Sequence, residues 1–110
     1  MRTEQFFRCL ADQVRLQALF LLWPDNELNL THLALTLQQS ESQVSRHLAL
    51  LMKNGLILER REQLDRFFRI NPDMPKWASK VLKLALCNNT SFASHIVATK
   101  EEQVNEQSIR

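Results

Sequence analysis

One glycine, Gly55, and three prolines, at positions 24, 72 and 75, are the only strong backbone punctuation in a chain of 110 residues. Glycine and proline interrupt regular backbone most readily, so their scarcity predicts long helices joined by short connections. Hydrophobic residues at 45% and charged ones at 24% leave enough apolar surface for one core, and the length suits one domain. A chain this short buries a limited share of its unfolded surface, which favours added stability from subunit association.

The apolar residues Phe6, Phe7 and Leu10, then Val14, Leu16, Leu19, Phe20 and Trp23, recur at spacings of three and four. This predicts two helices divided near Asp12, a residue suited to cap the second. Pro24-Asp25-Asn26 marks a turn, and Leu30, Leu33, Ala34 and Leu37 predict a short helix over 30–38. Ser40-Glu41-Ser42-Gln43 has the S-x-x-Q form of a capping box and opens a helix over 41–54. Val44, Leu48 and Leu51 line one side of it, and Asn54-Gly55 ends it, since glycine enters the left-handed conformation without strain. At about 100° per residue, Ser42, Arg46 and Lys53 cluster on the opposite side, with Ala49 close by and Gln43 on the flank.

Beyond Gly55, Leu56 to Arg61 and Arg66 to Ile70 flank a polar tip and predict a hairpin, closed by Asn71-Pro72. A last helix is expected from Pro75 through Trp77, Val81, Leu82, Leu84, Ala85 and Leu86, with a segment around Phe92 to Val97 continuing or following it. The tail, 100–110, is polar and expected to fray, leaving residues 1–99 as the domain. The fold class is therefore mostly α with a small β-hairpin.

Net charge is +2, too small for composition alone to announce a polyanionic partner. Its distribution is more informative. Residues 42–70 carry six basic side chains against three acidic ones, whereas residues 1–41 carry three arginines against five carboxylates. Leu16 to Trp23, interrupted by Gln17 and stopped by Pro24, falls short of the roughly 20 apolar residues that cross a bilayer. The N-terminus reads as no secretory signal, so a cytoplasmic location and no membrane partner are expected.

Two consecutive helices with a tight polar turn, followed at once by a basic hairpin, have the order of a winged helix-turn-helix. In such a fold the second helix enters the major groove of double-stranded operator DNA. Ser42, Gln43 and Arg46 lie in its first half; Gln and Arg suit bidentate contacts to adenine and guanine. Ser40, Ser45, His47 and Lys53 join the candidate DNA-contacting set, and Arg60, Arg61 and Arg66 of the wing are expected to neutralise phosphates or enter a minor groove. No phosphate loop, nucleophile elbow or H-E-x-x-H motif is present, so no enzyme is expected. A winged helix that only binds other proteins is the rival class, against which the arginines argue.

LADQVRLQALFLL, SESQVSRHLALLMKNGLILERRE and RFFRINPDMPKWASKVL together resemble the arsenic-repressor (ArsR) family of winged-helix regulators over residues 5–86, with P-x-W-A-x-K similar to its proteobacterial arsenical-responsive branch. The resemblance implies a homodimeric repressor released from operator DNA by an inducer, here an unidentified small molecule. The family's arsenite site lies in E-L-C-V-C-D-L, where this chain has Glu27-Leu28-Asn29-Leu30-Thr31-His32-Leu33. Trivalent arsenic needs thiolates, so that site is absent. The zinc and nickel variants of the family use acidic and His ligands on the last helix; Asp73 and His95 do not reproduce their pairing, and His32 and His47 lack a second ligand one turn away. No metal and no cofactor are expected.

Cys9 and Cys87 cannot form a disulfide framework and lack C-x-x-C spacing. Since the family's first and fifth helices build its dimer interface, the two thiols offer an alternative reading as a redox or arsenical sensor. Against it stands the tendency of cysteine to serve as a small buried hydrophobe.

Overall fold

The computed structural model describes residues 1–88. Five helices and three strands run in the order α1 (Thr3–Leu10), α2 (Gln13–Leu22), β1 (Leu28–Asn29), α3 (Leu30–Leu37), α4 (Glu41–Lys53), β2 (Ile57–Glu62), β3 (Asp65–Ile70) and α5 (Lys76–Asn88). The expected 92–97 segment, the 100–110 tail, His95 and the Cys87 side chain lie outside the described residues.

Local chemistry sets the helix starts. Asp12 accepts from the Arg15 amide at 3.1 Å, so α1 and α2 divide where the sequence predicts. Asn29 caps α3 in the same manner through the His32 amide at 2.7 Å, and Ser40 caps α4 through the Gln43 amide at 3.1 Å. Helix α4 stops at Gly55, whose φ of 82° lies in the left-handed region.

The core gathers around α2, whose residues Ala18 to Leu22 are all buried, an all-round burial that makes it the central helix. Leu33 of α3, Val44, Leu48 and Leu51 of α4, and Phe68 of β3 each reach 0% exposure against it. Phe6 of α1 meets Trp77 of α5 edge-on, with ring centroids 5.0 Å apart.

The sheet is antiparallel with order β1-β3-β2. The hairpin is longer than the sequence suggests, pairing Arg61 with Arg66 and Glu62 with Asp65, so that only Gln63 and Leu64 remain at the tip. β1 is an addition that the sequence analysis did not foresee. It pairs Leu28 with Phe68 and Asn29 with Phe67, and thereby seats the entrance to α3 on the wing's second strand.

Candidate nucleic-acid interface

Helix α4 has two unlike faces. Val44, Leu48 and Leu51 are fully buried, while Ser42, Gln43, Arg46, Ala49 and Lys53 are exposed on the other side. Among the described residues, Arg46 and Lys53 make no hydrogen bond or ion pair. Ser40, exposed at the N-cap, and the amides of the first turn leave donors at the helix start, where the helix field attracts an anion. The arrangement presents short polar side chains, one glutamine and two unengaged cations on a rigid rod.

Ser45 and His47 occupy the flanks of the same helix, each half-buried. Ser45 Oγ accepts from Arg66 Nη1 at 3.0 Å, while Arg66 Nε donates to Glu59 Oε2 at 2.6 Å. The Arg66 guanidinium also lies 5.3 Å from the centre of the Phe68 ring. Arg66 therefore sits between the wing and α4, with protein acceptors on both sides.

Arg60 is bound too. Its Nε and Nη2 form a two-pronged bridge to the Glu27 carboxylate at 3.0 and 2.8 Å, its Nη1 donates to Glu62 at 2.9 Å, and it stacks 4.7 Å from the centre of Phe67. Arg61 is the looser one, exposed and 3.4 Å from Glu59. Hydrogen bonds from Arg66 hold the Glu59 carboxyl below the usual carboxylate range, and hydrogen bonds from Arg60 do the same for Glu27. The Glu27 bonds in turn raise the Arg60 pKa. The sequence locates Arg60, Arg61 and Arg66 on the wing but not these partners, because Glu27 stands 33 positions from Arg60.

The other flank of α4 brings in a residue that sequence reasoning missed. Arg15 of α2 is 13% exposed at its side chain and donates Nε to the Cys9 carbonyl at 2.9 Å and Nη2 to the Arg8 carbonyl at 3.1 Å. Its Nη1 lies 3.2 Å from His47 Nδ1. An arginine can only donate, so this ring nitrogen accepts. Burial pushes the nearby Asp12 carboxyl up, but the Arg15 amide, the Arg15 charge and the Val14 amide together hold it below its ordinary value.

Cys9 is 1% exposed, and burial pushes its thiol pKa up against the opposing influence of Arg15, Asn54 and Arg8. A buried thiol that resists ionisation is a poor nucleophile and a poor soft-metal ligand. In the segment that replaces the family's cysteine motif, Asn29 caps α3, and Thr31 Oγ1 donates to Glu41 Oε2 at 3.0 Å. Both positions thus serve the helix-turn-helix itself. His32 Nε2 is buried without a partner among the described residues, which also contain no group of three or more His, Cys, Asp or Glu side chains placed to hold a metal. Among these residues no helix is long and apolar enough to cross a membrane.

Residues 12–58 match the model of bacterial regulatory proteins of the arsR family. The arsenical resistance operon repressor of Escherichia coli strain K12 is 41% identical over 78 residues, 71% of this chain and 67% of that protein. The arsenic resistance transcriptional regulator ArsR2 of Pseudomonas putida strain KT2440 is 35% identical over 86 residues, 78% of this chain and 75% of that protein. Among solved structures, a homodimeric winged helix-turn-helix DNA-binding domain from Mycobacterium bovis superposes with a TM-score of 0.63 at 26% identity, over 74% of this chain and 72% of that one. The order of elements, the polar face of α4 and these relatives agree: the chain is a winged helix-turn-helix member of the arsR family of bacterial regulatory proteins.

Proposed function

We propose that this protein is a cytosolic transcriptional repressor that binds operator DNA as a homodimer and is released by a small-molecule inducer. The observation that carries the reading is the face of α4. Ser42, Gln43 and Arg46 are exposed and unobstructed in the first half of a helix whose opposite side is fully buried. Lys53 at its far end and Arg61 on the wing serve as phosphate contacts, and Ser40 offers a third at the helix start.

The homodimer is supported by an apolar surface. Phe7 of α1 remains 49% exposed, and Trp77 and Leu84 of α5 remain 37% and 62% exposed. Trp77, Val81 and Leu84 follow a spacing of four and three along α5, which makes a stripe that a second copy of the chain covers. The inducer is a small organic or anionic molecule, arsenic metabolites included. Asn29 and Thr31 supply no thiolate to arsenite, and the buried Cys9 disfavours the thiol-sensor alternative.

The test is fluorescence anisotropy on promoter DNA, with salt varied and with arsenite, an organoarsenical and zinc added in turn. Log affinity is expected to fall linearly with log salt at roughly −0.9 per phosphate neutralised, as a protein-only interaction surface would not. Arsenite is expected to leave the complex intact. A salt-independent signal, or equal affinity for promoter and scrambled DNA, overturns the repressor reading.

A further inference from the structure

Ser45 and His47 stand 200° apart around α4 at about 100° per residue, with Arg46 between them and facing away from the core. Each flank is held by an arginine from elsewhere in the chain, and the two arginines reach different parts of the molecule. Arg66 ties Ser45 to the wing, which follows α4 directly in the chain. Arg15 ties His47 to the last turn of α1, by donating to the carbonyls of Arg8 and Cys9. Those carbonyls lie at a helix terminus, where main-chain acceptors have capacity to spare; that of Arg8 also takes the Ala11 amide at 3.2 Å. Helix α1 also carries Phe7, half-exposed in the apolar surface that the dimer covers under the proposed function.

We propose that Arg15 is a positioning residue that fixes α4 relative to α1, and so sets the separation of the two operator half-sites that the dimer accepts. The inference rests on the dimeric DNA-binding reading and adds a role for a residue that touches no DNA in it. A dimer reads two half-sites at a distance fixed by the geometry of its paired recognition helices. The route from one α4 to the other runs through the dimer surface, and Arg15 is a polar link between that surface's α1 and the exposed half of α4. Its guanidinium suits this role, because a planar group with three bonds in fixed directions, on a side chain only 13% exposed, permits little rotation. The Arg66 contact belongs to the α4–wing unit and moves with it, so its loss leaves half-site separation unchanged.

The experiment measures affinity for a series of operators whose half-sites are moved one or two base pairs closer or further apart. It uses the full-length protein, with dimerisation checked by sedimentation and folding by circular dichroism. Wild type is expected to show a sharp optimum. Arg15→Met, which keeps the apolar stem and removes the donors, flattens that profile several-fold while base preference within each half-site persists. Arg66→Met leaves the spacing optimum in place. His47→Leu flattens the profile as Arg15→Met does, and His47→Asn, whose Oδ1 stands in for ring Nδ1, restores the optimum relative to His47→Leu at whatever overall affinity. If Arg15→Met does not fold, the His47 pair decides. An unchanged profile in folded, dimeric Arg15→Met, or identical profiles in His47→Leu and His47→Asn, overturns the positioning role alone. A wild type with no preference for its operator overturns the DNA reading and this role with it.

Discussion

The wing and the recognition helix carry similar sequence signatures, short basic stretches on exposed elements, yet they use their cations differently. On α4, Arg46 and Lys53 project into solvent with no partner among the described residues. On the wing, Arg60 is bridged to Glu27 and Glu62, and Arg66 to Glu59 and Ser45, leaving Arg61 loosely held and Arg69 exposed with no hydrogen bond or ion pair among the described residues. A basic residue already paired with a carboxylate releases fewer counterions on meeting a phosphate, because its charge is balanced before DNA arrives. Counting arginines therefore overstates what the wing brings to a polyanion.

The sharpest way to break this contrast is to truncate α4. Arg46→Ala is expected to cost about 1–3 kcal/mol of specific binding, roughly five- to a hundred-and-fiftyfold, and to relax base preference at one position, with scrambled DNA little affected. Competition binding on single-base operator variants reads this out. Arg61→Ala and Lys53→Ala are expected to weaken promoter and scrambled DNA alike and to reduce the salt slope by about one each. An equal slope change in Arg60→Ala would erase the distinction drawn between free and paired wing cations.

Glu27→Gln sharpens the comparison in the opposite direction. Removing this carboxylate releases Arg60 from its strongest acceptor, so scrambled DNA should bind more tightly and the salt slope should steepen by up to one. Folding stability should change little, since exposed ion pairs contribute about 0–1 kcal/mol.

The smallest expected effect is on acid stability. Glu59 and Asp12 have folded-state pKa values below their unfolded ones, so each contributes stability that is present above the unfolded pKa and lost as pH falls through the folded one. Thermal melting temperature should therefore decline below about pH 4.5, where free carboxylates begin to protonate. Glu59→Gln should decline less steeply over the same window.

Much of this fold is legible locally. The Asp12 and Ser40 caps, the Gly55 stop and the burial of Val44, Leu48 and Leu51 each follow from residues within a turn or two of one another. β1 is not legible, because two residues are too few to display an alternating pattern and its strand character comes from pairing with Phe67 and Phe68. The same limit applies to the interface. Exposure of Arg46 follows from helical phase, but the pairing of Arg60 with Glu27 joins residues 33 apart, and Arg15 acts through two main-chain carbonyls and a histidine 32 positions away. Main-chain acceptors leave no mark in a sequence, so a residue that works through them reads as one more surface arginine.

The most direct test compares wild type and Arg46→Ala on promoter and scrambled DNA at one fixed salt concentration. The account predicts a clear wild-type preference for the promoter that falls by roughly five- to a hundred-and-fiftyfold in the variant while scrambled-DNA affinity persists. A variant that keeps the full preference would show that α4 is not the element that reads the bases.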